Sequence, residues 1–242
     1  MEKKMSRTKI EWSEYSWNPI TGCIKVSPGC KHCYAEGIAN RFWKDRGFTE
    51  VHFHKERLDE LRRWKKSKMI FVCSMSDLFQ ERVSNATIWR IFNAMGIHSQ
   101  HTYQVLTKRS YRMKELFYNR EIPDHIWLGV SAENQQYYDE RTFDLVHTGI
   151  GVKFVSVEPL LESVDLHNLR DGIDWVIVGA ESGPKARPMK EDWVRSIRDQ
   201  CIKAGVAFFY KQRMDKGKKI SLPELDGKIW DQMPKKKNES FS

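Results

Sequence analysis

The sequence contains no long hydrophobic run, no linker rich in proline, glycine and serine, and no apolar segment at its N-terminus. A helix that spans a bilayer needs about 20 predominantly apolar residues, so we expect no membrane partner. The opening residues MEKKMSRTKIEW lack the apolar core of a signal peptide, which predicts a cytoplasmic protein. Because no linker divides the chain, we expect a single domain over residues 1–233 and a disordered basic tail at 234–242.

Acidic residues are in deficit. The 242 residues include 41 lysines and arginines against 32 aspartates and glutamates, which gives a formal net charge of +9. This excess is compatible with a polyanionic partner such as nucleic acid, although net charge alone does not specify one. With 40% hydrophobic and 30% charged residues, the composition is that of a folded globular protein and excludes an intrinsically disordered chain.

Cysteine is scarce, with five residues, yet three of them lie together in the segment TGCIKVSPGCKHCYAE. Cys23, Cys30 and Cys33 form a C-x6-C-x2-C pattern in a loop at 22–34. Cytoplasmic thiols stay reduced, so such a cluster indicates metal binding rather than disulfides. Thiolates are soft ligands, suited to zinc or to an iron–sulfur cluster. Because no fourth cysteine is close in sequence, the set can leave one metal position open for chemistry.

Two interpretations of this loop remain open from the spacing. In the first, the three thiolates bind three irons of a [4Fe–4S] cluster, and the fourth iron takes a small-molecule ligand. The long interval between Cys23 and Cys30, bent by Pro28 and Gly29, favours a loop that wraps around a cluster rather than around a single metal ion. In the second, the metal is structural zinc, and its fourth ligand is one of His32, His52, His54 or Cys73.

Apolar segments typical of strands alternate with amphipathic segments along the rest of the chain. Short runs rich in valine, isoleucine and aromatic residues predict strands at 16–21, 69–72, 103–106, 126–130, 153–157, 175–178 and 206–209. Helices are predicted at 34–46, 55–65, 85–98, 110–118, 134–147 and 190–204, the last ended by Gly205. This alternation predicts an α/β fold with a parallel sheet.

Polar or charged residues follow each predicted strand. They include Cys23, Ser74, Ser76, Asp77, Lys108, Arg109, Glu133, Glu158, Glu181, Lys211 and Arg213. In a (β/α) barrel the C-terminal ends of the strands carry the active site. A doubly wound sheet would place ligands at a switch point only. We therefore predict a partial (β/α) barrel of about six to seven parallel strands.

The cysteine loop resembles that of the radical S-adenosylmethionine (SAM) enzymes, whose three cysteines follow the first barrel strand. Cys30-Lys31-His32-Cys33 matches the second half of their signature, with His32 at the aromatic position. The first interval has six residues instead of three. Similarity to a phage- and prophage-associated three-cysteine-motif family extends over WNPITGCIKVSPGCKHCYAE, FVCSMSDLF, QVLTKR, IWLGVSAEN, FVSVEPLL, WVIVGAESGPKARPM and FFYKQ. The resemblance implies a radical SAM-like partial barrel with a [4Fe–4S] cluster and SAM.

The resemblance also implies residue roles. Cys23, Cys30 and Cys33 would be the cluster ligands. SAM-binding residues would be Ser74, Ser76 and Asp77, in the region that holds the amino group of SAM, together with Lys108, which could pair with its carboxylate or a substrate phosphate. Catalytic candidates are Glu158 and Glu181, which could bind ribose hydroxyls or transfer protons. Each has a structural alternative: Asp77 could cap a helix, Lys108 could be solvated, and Glu181 could begin a glycine-flanked turn.

The chemistry that the resemblance implies is reductive cleavage of SAM to a 5′-deoxyadenosyl radical, which abstracts hydrogen from a substrate. An electron donor is therefore an expected partner. For a phage protein in the host cytoplasm we expect DNA as substrate. The concrete hypothesis is an isomerase that moves a glycyl group on the thymine methyl from nitrogen to carbon attachment, during thymidine hypermodification against host nucleases. The alternative is a zinc-stabilised nucleic-acid-binding or nuclease-accessory protein without radical chemistry.

Overall fold

The computed structural model describes residues 7–149 and 151–234. Its strands are β1 (Tyr15–Trp17), β2 (Ile20–Thr21), β3 (His52–Phe53), β4 (Met69–Val72), β5 (Thr102–Thr107), β6 (Ile126–Ser131), β7 (Lys153–Val157), β8 (Trp175–Gly179), β9 (Ala207–Asp215), β10 (Lys218–Ser221), β11 (Glu224–Leu225) and β12 (Lys228–Ile229). The α-helices are α1 (Tyr34–Phe42), α2 (Asn85–Ile97), α3 (Ser110–Phe117), α4 (Gln135–Val146) and α5 (Glu191–Ala204), and 3₁₀ helices form at Pro28–Cys30, Lys55–Arg63 and Leu169–Asp171.

Eight strands form one sheet in the order β1-β4-β5-β6-β7-β8-β9-β10. All neighbours pair in parallel except β9 and β10, which form an antiparallel hairpin. Within the described residues the edge strands β1 and β10 do not pair with each other, so the curled sheet is a half-barrel rather than a closed one. The predicted fold class, a partial (β/α) barrel, is confirmed.

The two faces of the sheet bury different side chains, because successive residues of a strand point to opposite sides. Valines of the central strands, such as Val105, Val155 and Val176, belong to the large core that includes helix residues. The opposite face is aromatic, and its Phe71, Trp127, Phe154, Trp175 and Phe209 form one cluster with Trp12 from the N-terminal segment. Trp12 therefore fills the inside of the half-barrel below the strand ends.

Two glycines allow close packing that a side chain would prevent. A Cβ atom on Gly129 of β6 would lie 2.4 Å from the ring of Phe154, so that ring occupies the space inside the half-barrel at this level. Gly22, directly before Cys23, has a φ of +88°, in the left-handed region that favours glycine. A Cβ there would lie 2.2 Å from the backbone oxygen of Glu50, so the cysteine loop starts at a point where only glycine fits.

Most predicted elements are confirmed, and two of them, at 69–72 and 153–157, have the predicted bounds. Helix α5 ends as predicted at Gly205, which adopts a φ of +73°. Helix α1 is shorter than predicted, because Trp43 is extended and ends it. The segment predicted as a helix at 55–65 is a 3₁₀ helix, Lys55–Arg63.

The predicted strand at 16–21 is divided into β1 and β2. Pro19 between them has no N–H to donate to a strand ladder, and β2 turns away to pair with β3. The hairpin of β9 and β10 was not predicted. Its turn residues Lys216 and Gly217 both have positive φ, as a tight hairpin turn requires.

Two further expectations concern the chain ends and membranes. The predicted tail at 234–242 lies outside the described residues, apart from its first residue. No helix in the described ranges is both long and apolar enough to cross a bilayer.

Candidate active site

One cavity lies at the C-terminal ends of the parallel strands. It brings together every site residue predicted from the sequence, which are Cys23, Cys30, Cys33, Ser74, Ser76, Asp77, Lys108, Glu158 and Glu181. Trp12 and Ile10 also line it, so the aromatic filling of the half-barrel forms part of its wall. The convergence follows from the fold, because the C-terminal ends of parallel strands meet at one edge of a sheet.

The three cysteine thiols are half-buried, and they lie close enough together to influence one another. Burial, with smaller contributions from the nearby charge of Asp77 and from Cys30, raises the pKa of Cys23 to about 12 against the opposing effect of Arg109. Burial, with a smaller contribution from Cys30, also raises the pKa of Cys33. In the metal-free protein these two thiols are therefore neutral at pH 7, and a metal must displace their protons to bind.

Arg109, from the end of β5, holds the first half of the cysteine loop. Its guanidinium donates to the carboxylate of Asp77 at 3.1 Å and to the backbone oxygen of Ile24 at 3.0 Å. A third donor, Nε, contacts Glu81 at 3.0 Å. Arg109 is only 8% exposed, so these charge-assisted bonds form in a poorly solvated environment where they are strong.

Glu133, which follows β6, holds the middle of the loop. Its Oε1 accepts a hydrogen bond from the backbone N–H of Gly29 at 3.0 Å, and its Oε2 accepts one from Arg141 of α4 at 3.0 Å. Glu133 is fully buried. A Cβ on Gly29 would lie 2.9 Å from the carboxylate carbon, so glycine is needed here for the loop to approach.

Glu181, which follows β8, holds the last part of the loop. Its carboxylate contacts His32 Nδ1 at 3.0 Å and accepts from Arg187 Nε at 2.9 Å, and Arg187 also donates to the backbone oxygen of Pro28 at 3.0 Å. Burial acts to raise the pKa of Glu181, but the bonds from Arg187 and His32 outweigh it and lower that pKa to about 2. The carboxylate is therefore ionised at neutral pH.

The predicted SAM-binding residues after β4 form hydrogen bonds with other residues of the site. Ser76 Oγ donates to the backbone oxygen of Gly22 at 2.6 Å, and Ser74 Oγ shares a hydrogen bond with Asn18 at 3.2 Å. Asp77 accepts from Thr107 Oγ1 at 2.7 Å and from the backbone N–H of Lys108 at 3.0 Å, in addition to Arg109. These bonds connect the end of β4 with the cysteine loop and with the end of β5.

A chain of polar contacts crosses the inside of the half-barrel below the loop. Lys108 Nζ donates to Ser131 Oγ, which donates to the backbone oxygen of Glu158 at 3.0 Å. The side chain of Glu158 accepts from Lys211 Nζ of β9 at 2.5 Å. A Cβ on Gly179 would lie 3.1 Å from the Glu158 carboxylate. Lys211 therefore pairs directly with the Glu158 carboxylate, and Lys108 is connected to the Glu158 backbone through Ser131.

Arg141 is a site residue that sequence reasoning missed. It lies within α4, eight residues after Glu133, and no local pattern separates it from a solvated helix residue. Lys211 was identified as a polar residue after a strand, but not as the ion-pair partner of Glu158. The distance of 53 residues between them explains why only the tertiary structure connects the pair.

The zinc alternative can be compared with the side-chain placement. Throughout residues 7–149 and 151–234, no three histidine, cysteine, aspartate or glutamate side chains converge closely enough to hold one metal ion. The four candidate fourth ligands lie in other contacts: His32 bonds Glu181, His54 bonds Thr21 at 2.8 Å, the ring of His52 packs on that of His54 with centroids 4.5 Å apart, and Cys73 is buried in the core. The placement does not favour a closed tetrahedral zinc site.

Comparison with known proteins gives three results. A family model described as "Protein of unknown function (DUF5131)" matches residues 7–234. No curated protein matches the chain. Among solved structures, the chain is similar to a cysteine-to-alanine variant of spore photoproduct lyase with dinucleoside spore photoproduct, with a TM-score of 0.52 and 12% sequence identity.

A second structure of spore photoproduct lyase, a double variant with bound AdoMet and dinucleoside spore photoproduct, gives a TM-score of 0.50 and 11% identity. Both alignments cover 83% of this chain and 64% of the lyase chain. The chain thus matches less than two thirds of the length of that enzyme. At this level of identity the similarity shows a shared fold.

Proposed function

Since the chain belongs to the family described as a protein of unknown function (DUF5131), its chemistry has to be inferred from the site, and we propose that it is a radical SAM enzyme. The observation that carries the proposal is that three thiols from one loop line a single cavity at the C-terminal ends of the strands of a half-barrel. The fold shared with spore photoproduct lyase supports it.

Cys23, Cys30 and Cys33 would hold a [4Fe–4S] cluster through three of its irons. The donor set fits this group: thiolates are the protein ligands of such clusters, and each binds a different iron. The three thiols line one cavity but do not meet at a single point. This arrangement suits a cluster, whose irons are separate binding points, better than a single zinc ion. Arg109, beside Cys23 at 3.9 Å, would favour its thiolate.

Ser74, Ser76, Asp77 and Lys108 would bind SAM in the same cavity. When bound, the cluster would supply the electron that cleaves SAM to a 5′-deoxyadenosyl radical. The protein would orient the bound molecule and exclude water. Lys108 offers a cation for the carboxylate of SAM, while the bonds of Ser76 and Asp77 fix the backbone at 74–77 against the loop.

Glu158 would act on the substrate, because its carboxylate lines the cavity beside Lys211. Its carboxylate could accept a hydrogen bond from a substrate hydroxyl or amine, or transfer a proton. Glu181 is a weaker candidate for proton transfer, since a pKa of about 2 makes protonation rare at neutral pH. Its role would be to orient His32 and the loop.

For the substrate we propose a modified base in DNA, with isomerisation of a glycyl group on thymine from nitrogen to carbon attachment as the specific reaction. A base must leave the duplex to reach such a cavity. The net charge of +9 supports a polyanionic partner. Exposed Tyr34 and Phe42 on α1, at 47% and 65% exposure, offer surfaces on which a base could stack. Phage origin and action in the host cytoplasm belong to this proposal.

Anaerobic reconstitution with iron and sulfide tests the proposal. The loaded protein should contain about four irons and four sulfides per chain, the composition of a [4Fe–4S] cluster, and release 5′-deoxyadenosine when SAM and a reductant are added. Phage DNA, RNA and free nucleotides are then compared as substrates. A protein that takes up zinc alone would refute the enzyme and favour the zinc-stabilised binding protein. An intact cluster that neither binds nor cleaves SAM would also refute the enzyme.

A further inference from the structure

Glu133 is a buried anion directly behind the cysteine loop. Its carboxylate accepts from the backbone N–H of Gly29, the residue before Cys30, at 3.0 Å. Glu133 lies after β6 and Gly29 lies 104 residues earlier in the chain, so the contact is a tertiary one made by the fold. Because Glu133 is buried, few water molecules would screen the electrostatic effect of its charge on a cluster bound at Cys30.

The environment of Glu133 is built to keep this charge in place. Its second oxygen accepts from Arg141 at 3.0 Å, and the side chains of the pair are 0% and 4% exposed. The backbone oxygen of Ser131 accepts a further bond from Arg141, and the guanidinium lies 4.0 Å from the centre of the Tyr137 ring. The charge of Lys108 also acts on the carboxylate. Removal of Glu133 would leave Arg141 buried without its ion pair, and removal of Arg141 would leave Glu133 with Lys108 as its remaining cation; loss of a buried ion pair is costly.

The loop is shaped to meet this carboxylate. Pro28–Cys30 forms a 3₁₀ turn, and Gly29 presents its N–H to Glu133 at a point where any Cβ would collide with the carboxylate. The N–H is therefore committed to Glu133. The reduction potential of an iron–sulfur cluster depends on the net charge and the hydrogen bonds around it. An anion favours the more oxidised state of a nearby cluster, because reduction adds negative charge.

We propose that Glu133, paired with Arg141, is a positioning residue that sets the loop around Cys30 and lowers the reduction potential of the cluster. This inference rests on the proposed function, since it requires a cluster on the three cysteines. Glu133 would then influence electron transfer to the cluster, although it is neither a cysteine ligand nor one of the proposed SAM-binding residues.

The test is redox titration of the reconstituted holoprotein, followed by electron paramagnetic resonance. Glu133→Gln keeps the size of the side chain and removes its charge, so the midpoint potential should rise. Arg141→Met leaves the anion without its partner, so the potential should fall. Glu162→Gln is the matched control: it removes an exposed carboxylate that accepts from the backbone of Gln135 at the start of α4, and the potential should stay at the wild-type value.

A purely structural role predicts lower iron content or lower melting temperature in both Glu133 and Arg141 variants, with an unchanged potential in the molecules that retain a cluster. That result would overturn the inference, as would shifts of the same sign in both variants. If one variant does not fold, the direction in which the midpoint potential of the other variant shifts still tests the inference. Failure of the wild-type protein to form any cluster would instead refute the proposed function.

Discussion

Lys211 Nζ lies 2.5 Å from Glu158 Oε1, so the middle of β9 and the residue that follows β7 are joined by an ion pair inside the half-barrel. The two side chains are 11% and 19% exposed, and they line the same cavity as the cysteines. Strand β8 runs between their strands in the sheet and contributes Gly179 at this level. The absence of a side chain there lets the carboxylate lie against the strand, and the pair spans the sheet as a result.

The first prediction concerns this pair. Lys211→Met and Glu158→Gln should each lower the free energy of unfolding, by about 2–4 kcal/mol for the lysine variant, because an uncompensated charge remains in a mostly buried site. The double variant should be more stable than the sum of the two losses implies, by about 1 kcal/mol or more. Urea denaturation of all four proteins measures the coupling, and strictly additive losses would contradict it.

Substitution of single cysteines tests the ligand assignment. Cys23→Ala, Cys30→Ala and Cys33→Ala should each strongly reduce iron and sulfide after reconstitution, because three ligands are needed to retain the cluster. Cys201→Ser is the control, since Cys201 is buried in α5 and outside the cavity; it should keep its iron. Metal and sulfide analysis, with circular dichroism to verify folding, gives the answer. Full iron content in Cys30→Ala would rule that residue out.

Arg109 should be more important for stability than its exposed partner. Arg109→Gln removes the contacts to Asp77 and Ile24 and leaves a buried carboxylate, which should cost about 3–5 kcal/mol. Glu81→Gln removes only an exposed carboxylate, with 68% side-chain exposure, and should cost less than about 1 kcal/mol. Chemical denaturation of the metal-free proteins compares them; equal losses would show that Asp77 does not depend on Arg109.

Gly22 should not tolerate a side chain. Gly22→Ala combines a positive φ with a Cβ at 2.2 Å from a backbone oxygen, so we expect a loss of at least about 2 kcal/mol and reduced iron uptake at the adjacent Cys23. Gly37→Ala is the matched control, since an added Cβ in α1 meets no described atom within 4 Å. It should raise the free energy of unfolding by about 0.5–1 kcal/mol. Melting temperatures of the two variants and the wild type test this, and an equal change in both variants would contradict the prediction.

The contribution of Glu181 should depend on pH. Its pKa falls from 4.5 to about 2 on folding, so it stabilises the folded protein above about pH 4.5 and loses this effect as the pH falls towards 2. The difference in unfolding free energy between wild type and Glu181→Gln should therefore be largest near neutral pH and shrink below pH 4. Glu224→Gln, at an exposed strand position, should show little pH dependence. A constant difference for Glu181 across this range would contradict the depressed pKa.

The architecture was predictable because it depends on local patterns. Apolar runs such as those of β4 and β7 define buried parallel strands, and helices fill the intervals between them. Once the strands are parallel, the residues that follow them must share one edge of the sheet. For this reason Ser76, Lys108 and Glu158 could be assigned to one cavity from their order along the chain alone.

The contacts that shape the site were not predictable in the same way. The bond of Glu181 to His32 joins residues 149 positions apart, and neither residue carries a signal for the other. Arg141 has the appearance of a solvated helix residue until α4 packs on β6. Strand β10 has a polar sequence, KKIS, with mostly exposed side chains, so it lacks the apolar alternation by which strands are recognised. Only turn chemistry at Lys216 and Gly217 indicates the hairpin.

Trp12 has a consequence for the size of molecule that the cavity can accept. Its indole packs against Phe71, Phe154 and Trp175 and lines the same cavity as the three cysteines and Glu158. Because three aromatic rings hold the indole in place, this wall is rigid and apolar, and a ligand beside Glu158 has to fit against it.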